Sequence, residues 1–401
     1  MEIEIGRGKK GLRAYGFDDI AIVPSRRTRD PDDIDISWTL GPYRFELPLV
    51  ASAMDGVVSP ETAVLTNELG GLGVLNLEGI WSRFEDAEEK LEAIAAAPKH
   101  EATRLMQQIY TEPVKAELIA KRIEEIKARG AVVCGSLTPQ KVREYYEVAV
   151  EAGLDILVIQ GTVISAEHVS TTVEPLNLKE FIAEVPVPTV VGGCASYSTG
   201  LHLMRTGAVG VLVGVGPGAA CTTRGVLGIG VPQATAIADV AAARAQHMLE
   251  TGEYVNVIAD GGMRTGGDVS KAIACGADSV MIGSPLARAK EAPGRGFHWG
   301  MATFHPSLPR GTRVSTKQDG TLEEILLGPA KENDGTFNLM GALKTSMATC
   351  GYEDIRSFQR AEVMVAPALM SEGKKLQNEQ HVGMGSNGRA AVSTGVAVSD
   401  D

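Results

Sequence analysis

Eight short apolar runs recur along the chain, each followed by a stretch of helical character, and that alternation constrains the fold more than any other feature. The runs span 48–54, 72–77, 131–135, 156–160, 189–193, 209–215, 255–260 and 279–283. Helix-like segments lie between them, among them 61–69, 139–152, 197–206, 233–250 and 268–275. A strand that is apolar along its whole length is buried on both faces, and strands alternating with helices pair in parallel. Eight such units predict a (β/α)8 TIM barrel, with a doubly wound open sheet as the alternative. In a barrel the chemistry sits on the loops that follow the strands. The glycine-rich motifs of this chain fall on those loops.

At 401 residues the chain is long for one domain, but α/β barrels run beyond ~200 residues as single units. Residues 1–373 are therefore expected to form one (β/α)8 domain. Residues 80–129 are charged, with helices expected at 84–97 and 113–129, and they lengthen the connection after the second strand. Residues 306–338 mix Gly, Pro, Thr and charged side chains without periodicity, as a mobile active-site flap does. Residues 374–401 are rich in Gly, Ser and Asn and are expected to be a flexible, disordered C-terminal tail.

A net charge of −12 argues against a nucleic-acid or acidic-membrane partner, either of which requires a basic face. It leaves room for a small phosphorylated ligand, because a local site can oppose the global charge. The chain starts with charged residues, lacks the apolar core of a signal peptide, and has no run of ~18 apolar residues, so a cytoplasmic location is expected. Its five cysteines, Cys134, Cys194, Cys221, Cys275 and Cys350, are widely spaced and odd in number, which reads as reduced thiols. The seven histidines show no ligand spacing, and no transition-metal site is expected.

Cys221 stands out among the thiols. It sits on the loop Val215-Gly216-Pro217-Gly218-Ala219-Ala220-Cys221-Thr222-Thr223-Arg224, directly after the sixth apolar run. Glycines let the backbone turn tightly and approach a ligand, and a thiol held there can act as a nucleophile once its thiolate is stabilised. The alternative is a small apolar cysteine beside a turn. Asp260-Gly261-Gly262 follows the seventh run and Gly283-Ser284 the eighth, the two loops that commonly make a barrel's phosphate site. Gly261, Gly262 and Gly283 let the backbone close on a phosphate, and Ser284 can donate a hydroxyl. Asp260 either accepts from a ribose diol or caps the following helix.

These motifs together resemble the IMP dehydrogenase/GMP reductase family, from about Tyr15 to Lys374. Phe17-Asp18-Asp19 with Val23-Pro24 is similar to its N-terminal motif. Ser52-Ala53-Met54-Asp55 resembles the segment whose Ser and Met contact nucleotide, and Gly341 to Met347 is similar to the helix after the flap. The resemblance implies a nucleotide site of Ser52, Met54, Gly218, Asp260, Gly261, Gly262, Gly283, Ser284, Met301 and Ala302. It implies Cys221 as nucleophile, Thr223 as a hydrogen-bonding helper and Arg310 as water activator. It also implies NAD held around Gln160, Thr162, Cys194, Gly214 and Gly216. A K⁺ would sit at carbonyls of Gly216, Gly218 and Cys221, completed by a neighbour's Glu372 and Gly373 in a homotetramer. The implied reaction is NAD-dependent oxidation of IMP to XMP, in guanine nucleotide synthesis.

The chain also departs from the pattern. Residues 80–129 are too short for the family's paired regulatory CBS modules, so the resemblance is to a short branch without them. Gln160 and Cys194 stand where the family has Asp and Asn, and Pro309-Arg310-Gly311-Thr312-Arg313 lacks the flap tyrosine. Two other readings stay open: a GMP reductase using NADPH, and a purine-nucleotide-binding protein acting as sensor or assembly subunit.

Overall fold

The computed structural model describes residues 2–165, 168–169, 171, 175–300, 312–366 and 373–383. Met301, Ala302, Arg310 and Glu372 lie outside the described residues.

All eight apolar runs become strands: β1 Leu49–Ala51, β2 Leu72–Asn76, β3 Cys134–Leu137, β4 Ile156–Gln160, β5 Thr189–Cys194, β6 Gly210–Val213, β7 Asn256–Asp260 and β8 Ser279–Ile282. They pair in parallel and in chain order, and β8 pairs with β1 to close the barrel. The open-sheet alternative is thereby excluded. The strands read as apolar throughout because each divides its side chains between two cores. Val50, Val158, Leu212, Ile258 and Met281 point into the barrel, while Leu49, Ile159, Val211, Val257 and Val280 face the surrounding helices. Alternation between two dry environments leaves no polar position in the pattern. The hairpin Trp38–Leu40/Tyr43–Phe45 plugs the end where the strands begin, with Trp38, Leu40 and Phe45 in the interior cluster.

The expected third strand, 131–135, is displaced towards the C-terminus. The Asp155 carboxylate accepts the Val133 N–H at 2.9 Å, so the strand ladder starts only at Cys134. In the extension after β2 the structure forms three helices, not the two expected: Ala87–Ala96, Lys99–Ile109 and Ala116–Lys127. The extra helix buries only Ala102, Met106 and Ile109 among charged neighbours, a sparse stripe at i, i+4, i+7.

Within the expected flap, 312–338 is described, and much of it is packed. Val314–Ser315 pairs with Phe297–His298, and the helix Leu322–Leu326 buries Leu322, Ile325 and Leu326. Phe337 is buried as well. Short elements thus punctuate a segment that is otherwise irregular, which is why it shows no periodicity. At the start of the expected tail, Lys375–Gln380 forms a short helix among the residues described. No helix among the described residues is long and apolar enough to cross a membrane.

Candidate active site

The loops after β6, β7, β8 and β1 meet at the mouth of the barrel because those strands are neighbours around the ring. Gly261 and Gly262 take φ of +79° and +84°, the left-handed region that glycine enters without steric cost. A Cβ on Gly261 would lie 3.3 Å from the Gly218 N, and one on Gly262 would lie 3.0 Å from the Pro217 Cβ. The Asp-Gly-Gly loop is therefore seated on the cysteine loop. On the other side, a Cβ on Gly283 would meet the Met54 Sδ at 2.7 Å, with Ser52 next to it. The motifs at 52–54, 216–223, 260–262 and 283–284 are thus brought together. A Cβ on Gly218 would meet nothing within 4 Å, so open space faces that residue.

Cys221 is the exposed member of the five cysteines; Cys134, Cys194 and Cys350 are buried and Cys275 is partly so. Burial pushes the Cys194 thiol up to about 12 and the Cys275 thiol to about 11, and it raises Cys134 and Cys350 too. The Cys221 N–H donates to Gly218 O at 3.0 Å, closing the loop, and its thiol donates to the buried Thr223 Oγ1 at 3.2 Å. Thr223 opens the short helix Thr223–Leu227, which ends at Gly228 with φ of +69°.

Asp260 does not cap the helix that follows. That cap is Thr265 with Asp268, whose carboxylate accepts the N–H groups of Arg264 and Thr265 at 2.9 and 3.2 Å. Asp260 is left pointing into the mouth, where burial lifts its carboxyl to about 7 and the Gln160 amide partly offsets this. Gln160 Nε2 reaches across from β4 to Asp260 Oδ2 at 3.2 Å. Its Oε1 has no partner among the described residues.

Two side chains of this site carry no sequence signal. His298 is buried, and its Nε2 lies 2.7 Å from Ser284 Oγ; Nδ1 has no partner among the described residues. Burial lowers its pKa to about 4, so the ring is neutral at neutral pH. Gln233, buried at the start of the helix Gln233–Thr251, donates to Val213 O at 2.6 Å and Asp260 O at 3.2 Å, tying the ends of β6 and β7. A lone His and a lone Gln have no spacing partner, so neither stands out before the chain is folded.

The residues expected to hold a dinucleotide lie at the neighbouring ends of β4, β5 and β6, where Gly214 N–H donates to Cys194 O at 2.8 Å and Gly161 N–H to Gly192 O at 2.9 Å. Gln160 serves Asp260, and the Cys194 side chain is packed in the core. A Cβ on Gly214 would run into the Asp260 carbonyl, and one on Gly216 would meet the Arg224 side chain. Both glycines are thus accounted for by packing within the chain. Thr162 remains half-buried beside Gly193. The expected cation carbonyls of Gly216, Gly218 and Cys221 share one loop, but Gly218 O already accepts the Cys221 N–H. Gly373 is described and its Cβ position is open. Among the described residues no group of three His, Cys, Asp or Glu could hold a metal ion.

Residues 14–382 match the family profile described as IMP dehydrogenase / GMP reductase domain. An uncharacterized oxidoreductase of Mycolicibacterium smegmatis is 48% identical over 372 residues, covering 90% of this chain and 99% of that protein. The inosine-5'-monophosphate dehydrogenase of Cryptosporidium parvum is 31% identical over 294 residues, covering 71% of this chain and 70% of that one. The crystal structure of an IMP dehydrogenase/GMP reductase-like protein from Corynebacterium glutamicum superposes with a TM-score of 0.86 at 46% identity, covering 91% of this chain and 97% of that chain.

Proposed function

Because the chain belongs to the IMP dehydrogenase / GMP reductase family of oxidoreductases, we propose that it oxidises IMP to XMP through a covalent adduct on Cys221. The observation that carries this reading is the seating of the one exposed cysteine's loop on the Asp260-Gly261-Gly262 loop. A purine monophosphate bound by its phosphate at 261–262 and 283–284, and by its ribose diol at Asp260, presents its base to Cys221. The Cys221 thiol directs its proton at Thr223 Oγ1 and adds to C2 of hypoxanthine as the thiolate. C2 then gives up hydride, and the NAD co-substrate is the acceptor. Water adds to the resulting thioimidate, the C–S bond breaks, and XMP leaves with one proton released.

A second reading is reduction of GMP, which reaches the same thioimidate by loss of ammonia, takes hydride from NADPH and needs no water. Arg313 favours it. Of the two flap arginines, Arg313 is committed elsewhere: its guanidinium donates to Ile94 O and Ala95 O and stacks over the Phe297 ring at 4.2 Å. Arginine is in any case a poor base unless its environment is unusual. The deciding experiment incubates purified protein with IMP plus NAD⁺, and separately with GMP plus NADPH, and follows the reduced nicotinamide. Turnover only in the first mixture supports the dehydrogenase, and turnover only in the second supports the reductase. IMP binding by calorimetry without turnover in either leaves a nucleotide-binding protein.

A further inference from the structure

The helical extension after β2 touches the segments that flank 301–311 on both sides. Arg295 pairs with Glu92 at 2.8 Å, and Arg313 donates to carbonyls of the helix Ala87–Ala96. The most buried of these links runs through Tyr110, which ends the helix Lys99–Ile109. Its phenol donates to Asp55 Oδ2 and accepts from Trp299 Nε1 at 2.8 Å. Asp55 and Trp299 are each 1% exposed. The Arg83 guanidinium lies over the Tyr110 ring at 5.6 Å and donates to Tyr110 O and Glu112 O, so the ring itself is held in place.

What Tyr110 joins is the proposed nucleotide site. Asp55 closes the turn that carries Ser52 and Met54, where Val57 N and Val58 N both donate to Met54 O, and it accepts the Ile80 N–H at 3.1 Å. Trp299 follows His298, the partner of Ser284. The two pieces come from opposite ends of the barrel's sequence. They also abut at Gly56, whose Cβ would lie 3.2 Å from the Trp299 ring.

We propose that Tyr110 is a positioning residue for the nucleotide site, its hydroxyl holding the Ser52–Asp55 turn in register with the His298–Trp299 segment. A phenol suits this because one oxygen both donates and accepts. Without it a buried carboxylate loses a donor and a buried indole loses its acceptor, and each unmet group costs more than the bond contributed.

The inference rests on the reading of this mouth as a purine monophosphate site, so its test has one arm that needs no ligand. Hydrogen exchange of unliganded Tyr110→Phe, read peptide by peptide, should be faster at 52–58 and 294–300, with β4 unchanged. In steady state the same variant should raise KM for the nucleotide about tenfold while kcat stays within about twofold. Trp299→Phe, which removes the indole's bond to the phenol, should give a smaller KM shift with faster exchange at 52–58 reduced or absent. Wild-type exchange at both segments in Tyr110→Phe overturns the inference, whatever the ligand turns out to be. Altered exchange in a protein with no affinity for IMP or GMP keeps the coupling and sinks the nucleotide reading instead. Equal losses in kcat and melting temperature, without a KM shift, would make Tyr110 a residue of general stability and also overturn the inference.

Discussion

Solvent access separates Cys221 from the other four cysteines, since burial disfavours every other thiolate. Cys221→Ala should abolish turnover while IMP still binds in calorimetry, because the phosphate loops are elsewhere; substantial activity would end the covalent mechanism. Serine at Cys275 or Cys350 should leave turnover nearly unchanged. Asp260 makes a pH prediction. Its carboxyl is raised from 3.8 to about 7, so below 3.8 it is protonated folded or unfolded and costs nothing. As pH rises towards 7 the unfolded chain ionises first, and folding stability falls. Asp260→Asn should therefore raise the melting temperature most above about pH 7, and the gain should vanish in acid. In the wild type, IMP affinity should drop as pH falls through 7, and in Asp260→Asn it should be weaker and flat with pH. Gln160 belongs to this pair. Gln160→Asp sets two carboxylates face to face, which disfavours ionisation. It should weaken IMP binding at neutral pH by about tenfold rather than tighten the dinucleotide. Tighter NAD⁺ with unchanged IMP affinity in a titration would return Gln160 to the dinucleotide.

At the scale of elements, existence was more legible than boundaries. Every barrel strand shows as an apolar run because both its faces are buried, and the long helix Gln233–Thr251 was readable from its alanine-rich periodicity. The β3 boundary slipped because the side chain of Asp155, far along the chain, takes a backbone N–H there. The helix Lys99–Ile109 is amphipathic with so few apolar positions that its charged majority masked it. Thr265 and Asp268 show a similar limit: the capping box is a short-range pattern, yet the adjacent Asp260 competes for the same role until the loop is folded. Thr265→Ala should cost about 1 kcal/mol of stability, measured by denaturant unfolding, with little effect on turnover. A loss of activity as large as that in Asp260→Asn would mean that the loop and the helix start act together.

Across the whole molecule, the connection after β2 folds as three helices that brace the mouth, too short for the paired CBS modules that the family resemblance implies for longer members. Millimolar ATP should therefore change neither KM nor kcat for the nucleotide beyond simple competition at the mouth. A sigmoidal response or a shift in the cooperativity of turnover would place a second nucleotide site on the extension.

The sequence by itself determined the eight strands and the glycine-rich turns after them, because two-sided burial and glycine-dependent turns are local requirements that leave local marks. Closure into a barrel rather than an open sheet was decided by the β8–β1 pairing. The sequence also singled out Cys221, since a thiol on a glycine-rich loop after a buried strand has few structural reasons to be there. Tertiary structure alone decided which polar groups meet. Gln160 is one hundred residues from Asp260, and Tyr110 is 55 from Asp55 and 189 from Trp299. Hydrogen bonds of that kind are set by barrel closure and helix placement. They leave no periodicity, because each partner needs only one suitable atom at one point in space.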